Sequence, residues 1–332
     1  MGKGSILEGW MVMLAAVLRK FGGPLSLEEV SSPLNPVKVG ATGLCHGDLH
    51  IIMGEWTWDL SLKLPLVLGH EISVVNEDKT YLVYNARGCG LCKQCRRGEN
   101  QFCEKLNVLG VHMNGGFAEY VDVTGFPLVP VKGNPIDATP LADAGVTAMN
   151  SVDGIEQGSK VAVLGTGEVA MISIQLLRNE GAEVWVVGRN QAKLRKAKEL
   201  GADEIVYTGG EYSTDLSAFA TSNKFDVIID YVGSQYTLRD LPWLLRRTGE
   251  LRVVGEFGGE LTLPGQLLVL RGLKVRGILY GSLEQMKRVI RLYETGKLKT
   301  LALPYSIKEI NSAIIDLIQG RVIGRPVIYP GS

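Results

Sequence analysis

Four cysteines fall close together, Cys89, Cys92, Cys95 and Cys103 in the stretch GCGLCKQCRRGENQFC. Thiols at that density and spacing can converge on one ion, and tetrahedral Zn²⁺ accepts four thiolates with no position left over for water or substrate. The spacing therefore predicts a closed structural zinc lobe that holds a loop together and does no chemistry itself. Two-residue spacers suit chelation better than cross-linking, with paired disulfides or scattered free thiols as the alternative. The lobe takes four of the five cysteines and leaves Cys45, so no structural disulfide is expected. Cys45 itself stands in GLCHGDLH, which also carries His46, Asp48 and His50, and Gly69-His70-Glu71 follows downstream. Thiol, imidazole and carboxylate at that spacing form a second metal constellation, this one with mixed donors.

A third chemical signal is Gly165, Gly167 and Ala170 in GTGEVA. Between a strand and a helix, the first Gly permits a tight turn, the second lets a pyrophosphate approach the backbone, and the small third residue lets helix and strand pack closely. The phosphates would rest on the helix N-terminus, where unpaired N–H groups and the dipole favour negative charge. The next strand ends WVVGRNQAK, where an acid would bond the ribose 2′-OH of NAD and repel a 2′-phosphate. Gly188 takes the place of that acid, and Arg189 follows with a guanidinium able to hold a phosphate through paired donors. NADP(H) is therefore favoured over NAD(H), the alternative for Arg189 being a solvated surface side chain.

These groups need elements to hold them. Residues up to about 140 are rich in Gly, Pro and short alternating apolar runs such as FAEYVDV, which suits an irregular antiparallel β domain with long loops. From Lys160 the rhythm becomes βαβα: KVAVLGTGEVA, a helix through Leu176 and Leu177, the strand AEVWVVG and the helical AKLRKAKELGA. Further strands are expected at DVIIDYVG, ELRVVGEF and LKVRGILYG, then two amphipathic helices and a closing strand, RPVIYP. The predicted fold class is α/β, a Rossmann-type doubly wound parallel sheet joined to an irregular β-rich catalytic domain that carries the zinc lobe. The expected division is a catalytic domain of residues 1–144 and 279–332 and a dinucleotide-binding domain of 145–278. Before these, MLAAVLRKFGGPLSLEEV reads as strand, turn and strand, with residues 1–12 preceding the pattern.

Lys+Arg and Asp+Glu are both 35 in 332 residues, so no net charge draws the chain to nucleic acid or to an anionic membrane. No apolar run is long enough to span a bilayer, and the N-terminus lacks the apolar core of an export signal. A cytoplasmic location is expected, with no nucleic-acid or membrane partner.

Taken together, GLCHGDLH, GHE, the four-cysteine lobe and the late nucleotide fold closely resemble the zinc-containing alcohol dehydrogenases of the medium-chain dehydrogenase/reductase family. The resemblance runs from Met13 onward. It implies two zinc ions per chain, one structural and one catalytic, with a nicotinamide dinucleotide as the hydride carrier. The catalytic ion would be held by Cys45, His70 and a third residue at the domain join, where PLADAGVTA places Asp143 at the position of a common family Cys. A carboxylate keeps the same formal charge but is harder and less electron-donating, so the metal should remain bound as a somewhat stronger Lewis acid. The alternative is that Asp143 is only a helix-start residue in a degraded site. By resemblance Asp48 orients the His70 imidazole and Glu71 sits behind the zinc. His46 and Arg325 match positions that contact the cofactor pyrophosphate, Thr147 matches one against the nicotinamide, and His50 matches the proton carrier. The active site is expected between the domains, on a homodimer or homotetramer.

Gly47 departs from the family, which usually has Ser or Thr there to pass the substrate proton toward His50. Its loss of hydroxyl and volume beside the metal suggests a bulky or cyclic ketone rather than a small primary alcohol as substrate, with Trp56 and Trp58 either lining the pocket or serving as surface or core aromatics. Two other functions are compatible with these residues: a zinc-dependent polyol or sugar dehydrogenase, and an NADPH-binding protein whose catalytic centre has decayed at Gly47 and Asp143.

Overall fold

The computed structural model describes residues 11–56, 62–209 and 224–331. Residues 1–10 and Trp58 lie outside the described residues. The chain divides into two compact units, one ending at Asp143 and resuming at Leu301, the other running Ala144–Thr300.

In the first unit, the strands Val12–Leu18 and Ser26–Ser31 form the expected antiparallel pair around the Gly22–Pro24 turn. The main sheet runs in the order Ala302–Ser306, Arg325–Tyr329, Val37–Gly43, Glu71–Asn76, Lys79–Val83 and Leu128–Val131. All its neighbours pair antiparallel except the first two strands, which are parallel. A cluster of buried side chains that includes Leu18, Leu44, Ile51, Leu68 and Phe117 forms its largest core, with the helices His46–Met53 and Ile310–Ile318 contributing.

The second unit holds a six-stranded sheet, entirely parallel, ordered Glu204–Tyr207, Glu183–Gly188, Lys160–Leu164, Phe225–Asp230, Leu245–Val253 and Lys274–Gly277. The central strand KVAVL is fully apolar after its first residue because parallel strands with helical crossovers are covered on both faces.

The boundary at the C-terminal side differs from the expected one: residues 279–300 belong with the second unit. Their helix, Leu283–Glu294, packs on the helix Ala144–Val152. Gln175 donates to the Lys299 carbonyl and accepts from its N–H, both at 2.9 Å, while Asn150 donates to Tyr280 O at 2.8 Å. Sequence periodicity marks this segment as an amphipathic helix but carries no information on which unit receives its apolar face. Among the described residues, no helix is long and apolar enough to cross a membrane.

Candidate active site

The register of two strands builds the mixed-donor site. In the Val37–Gly43 and Glu71–Asn76 pair, Gly43 stands directly opposite Glu71. Cys45, two residues beyond one strand, and His70, immediately before the other, are thereby brought to the same edge. Asp143 follows the buried 3₁₀ turn Thr139–Ala142, which packs on both strands. The donor atoms of Cys45, His70 and Asp143 all lie within 4.8 Å of one another.

Asp48 fixes this arrangement from below. It is fully buried, accepts from Cys45 N at 2.9 Å and Gly69 N at 3.2 Å, and faces His70 Nδ1 at 3.2 Å. One carboxylate thus caps the helix His46–Met53 and turns the Nε2 of His70 toward Asp143, 3.7 Å away. Asn85 adds a second constraint by donating to the His70 carbonyl at 2.8 Å.

Glu71 and Arg325 lie behind the donors. Arg325 Nε is 2.9 Å from Glu71 Oε2 and its Nη2 is 3.7 Å from Asp143, while Nη1 donates to Leu44 O at 3.3 Å. Arg325, expected at a cofactor pyrophosphate, is buried with its guanidinium beside the Glu71 and Asp143 carboxylates and the Leu44 carbonyl. Gly43 makes the room, since a Cβ there would stand 1.7 Å from Glu71 Oε2.

The electrostatics fit a cation. Burial alone would depress the His70 pKa, yet Asp48, Asp143 and Cys45 raise it well above the usual histidine value. Asp143 is held below the usual carboxylate range despite burial, by His70 and Arg325. Cys45, Glu71 and Asp143 act on the Arg325 guanidinium while Asp48 lies against His70, an excess of potential anions that a divalent ion would offset. A thiolate, an imidazole and a carboxylate are also the donor types of an open, three-ligand zinc site.

The four-cysteine lobe meets the same test. Its sulfurs lie within 4.8 Å of one another. Backbone N–H groups of Leu91 and Cys92 donate to Cys89 Sγ, that of Cys95 to Cys92 Sγ, and those of Cys89 and Lys105 to Cys103 Sγ. Such bonds favour thiolates, and those from Leu91 and Cys92 pull the Cys89 thiol down to about 6. Cys95 is pushed up to about 11, first by burial and then by its thiol neighbours. Four sulfurs this close cannot all ionise without a cation among them. Paired bonds between Arg87 and Asn107 close the base of the lobe.

At Gly47 the structure corrects the expectation of free volume. A Cβ there would meet Trp56 Cη2 at 3.0 Å and His70 Cε1 at 3.2 Å. The space usually taken by a hydroxyl-bearing side chain holds the edge of an indole. Trp56 is partly buried against the main core of its unit, and its ring stacks on the His50 imidazole with centroids 5.5 Å apart and 23° between planes. His50 Nδ1 lies 2.5 Å from Glu55 Oε2, a partner that the motif-based reading missed. Its only signal in the sequence is an acid placed just past the end of the helix. His46 is the first residue of that helix, beside Cys45.

In the second unit, Gly165 closes the strand with φ of 101°, and Gly167 caps the helix Glu168–Asn179 with no side-chain bond to the first-turn N–H groups. A Cβ on Gly167 would touch nothing within 4 Å, and Ala170 is fully buried. The first helical turn is thus open to a phosphate. Gly188 has a second reason to lack a side chain, because its Cβ would press on Thr166 Cγ2 at 2.9 Å. Arg189 is exposed at the end of that strand. Lys193, another residue missed in the sequence, accompanies it: burial first, and then the Arg189 charge, lower the Lys193 pKa. Thr147 is buried in the helix Ala144–Val152 of this unit.

Known proteins are similar to both units of the chain. The family described as alcohol dehydrogenase GroES-like domain matches residues 36–133, and that described as zinc-binding dehydrogenase matches 169–295. The D-arabinose 1-dehydrogenase (NADP(+)) of Saccharolobus solfataricus is 32% identical over 95% of this chain and 97% of its own. An NAD-dependent alcohol dehydrogenase of Sulfolobus acidocaldarius is 33% identical over 95% and 99%. The crystal structure of the alcohol dehydrogenase from Aeropyrum pernix superposes with a TM-score of 0.87 at 31% identity, covering 96% of this chain and all of that one.

Proposed function

Since the chain belongs to the zinc-containing alcohol dehydrogenases of the medium-chain dehydrogenase/reductase family, we propose that it transfers hydride between NADP(H) and a bulky or cyclic ketone and its alcohol. The observation that carries this reading is the convergence of Cys45, His70 and Asp143 with Asp48, Glu71 and Arg325 behind them. A zinc ion held by those three donors would act as a Lewis acid on the substrate oxygen. Asp48 fixes the His70 ring, and Arg325 offsets the buried charge of Glu71 and Asp143. His50 takes or returns the substrate proton. With no hydroxyl at Gly47, that proton travels through water.

Substrate preference follows from the exchange at Gly47. The Trp56 edge replaces a polar relay group with a flat apolar wall, which suits a cyclic or aryl carbonyl and removes assistance that small primary alcohols need. NADP(H) is supported by the absence of an acid at Gly188 and by the Arg189 and Lys193 cations at the strand end. A sugar dehydrogenase is the second reading, favoured by the relative named for D-arabinose and NADP(+).

The experiment is NADPH oxidation against cyclic ketones, aryl ketones and small aldehydes, with NADP⁺ reduction on aldoses and zinc measured on the same preparation. Turnover on cyclic ketones with two ions per chain is expected. Efficient aldose oxidation with little ketone reduction favours the sugar reading, and one ion with no turnover favours a binding protein.

A further inference from the structure

We infer that Glu55 is the positioning residue for His50, setting its tautomer and carrying its proton to solvent. The inference rests on the reading of His50 as proton carrier. The helix His46–Met53 ends at Gly54 with φ of 75°, and Glu55 N then donates to His50 O at 2.9 Å. This reversal brings the Glu55 carboxylate to 2.5 Å from His50 Nδ1. The imidazole is buried and stacked on Trp56, whereas the Glu55 side chain is 57% exposed. The pair therefore joins an interior ring to a carboxylate in water.

A carboxylate at Nδ1 holds the proton there and leaves Nε2 as the basic nitrogen. In alcohol oxidation the substrate O–H bond breaks and its proton passes through water to Nε2, while hydride leaves the carbinol carbon and reduces NADP⁺. The imidazolium is stabilised by Glu55, and the Nδ1 proton departs through the exposed carboxylate to solvent. Ketone reduction runs the same path backward. Trp56, with one face on His50 and its edge over Gly47, keeps the ring from turning away from Glu55. The arrangement supplies an outlet that does not depend on a hydroxyl at position 47.

The test compares Glu55→Ala, Glu55→Asp and His50→Gln in the zinc-loaded enzyme by steady-state kinetics and by ¹⁵N NMR of the His50 ring. Glu55→Ala should lower kcat about tenfold to a hundredfold with little change in KM, and the ring should lose its Nδ1–H tautomer. Glu55→Asp should restore part of both. A slow His50→Gln beside a Glu55→Ala with wild-type kcat and unchanged tautomer overturns the role of Glu55 alone. Wild-type turnover in His50→Gln overturns the proton-carrier reading and this inference with it.

Discussion

At position 47 a Cβ would stand 3.0 Å from the Trp56 ring and 3.2 Å from His70, so a serine cannot be added there without moving the indole or a metal ligand. Gly47→Ser alone should slow turnover on every substrate and weaken zinc retention. Paired with Trp56→Leu, the hydroxyl is accommodated, and small-alcohol oxidation should rise about tenfold or more over the wild type as ketone reduction falls. Kinetics on the four corners of this double-mutant cycle check the coupling, and additive effects would show that the two positions are independent. Arg325 gives a second residue-scale prediction, because its guanidinium is buried against Glu71 and Asp143. Arg325→Met leaves those carboxylates uncompensated, at a cost of about 3–5 kcal/mol in the zinc-depleted protein. Bound zinc then supplies the missing positive charge, so zinc content should hold and the destabilisation should be largest after chelation; equal stability loss with and without zinc would remove the guanidinium from the charge balance of the site. Of these residues, Cys45, Asp48, His70 and Glu71 were legible in the sequence because they sit in two short motifs. The stacking of Trp56 on His50 and the pairing of Arg325 with Glu71 were not legible, since both depend on contacts between distant or non-periodic positions.

At the scale of elements, the strand Glu183–Gly188 and the helix Gln191–Glu199 present Arg189 and Lys193 together. Asn190 caps that helix by accepting from Lys193 N at 3.1 Å, which fixes the lysine one turn from the arginine. Arg189→Ala should weaken NADPH binding by about 1.5–3 kcal/mol and leave NADH nearly unchanged. Lys193→Ala should act in the same direction and by less. Calorimetric titration with both cofactors is the check, and equal losses for NADPH and NADH would remove the basis for the NADP(H) assignment. The strand, the Gly-rich turn and the helix were readable from period and punctuation alone. The approach of Lys193 to Arg189 was not, since it depends on where the capped helix begins relative to the strand end.

For the whole molecule, the two units make separable claims on metal and cofactor. The lobe spanning Cys89 to Cys103 is tied to its own unit through Arg87, Asn100 and Asn107, whereas the six-stranded sheet takes all its strand pairings from the other unit. Cys95→Ser should therefore release one zinc ion and lower the melting temperature of the first unit, with NADPH affinity preserved in the second. Metal analysis, calorimetry and cofactor titration on one preparation test this, and unchanged zinc content would show that the thiols hold no ion. The sequence by itself determined whatever depends on neighbours along the chain: the clustered cysteine spacings, the Gly-rich turn, the alternation of strands and helices, and the missing acid at Gly188. Those features are local because ligand bite, turn conformation and helix capping are set by a few consecutive residues. Tertiary structure alone decided what meets across elements. The register of Gly43 with Glu71 carried Cys45 to His70, strand pairing set Arg325 beneath them, and packing assigned residues 279–300 to the second unit. It also filled the space at Gly47 with an indole from beyond the helix end, because a missing side chain states that room exists and only packing states what occupies it.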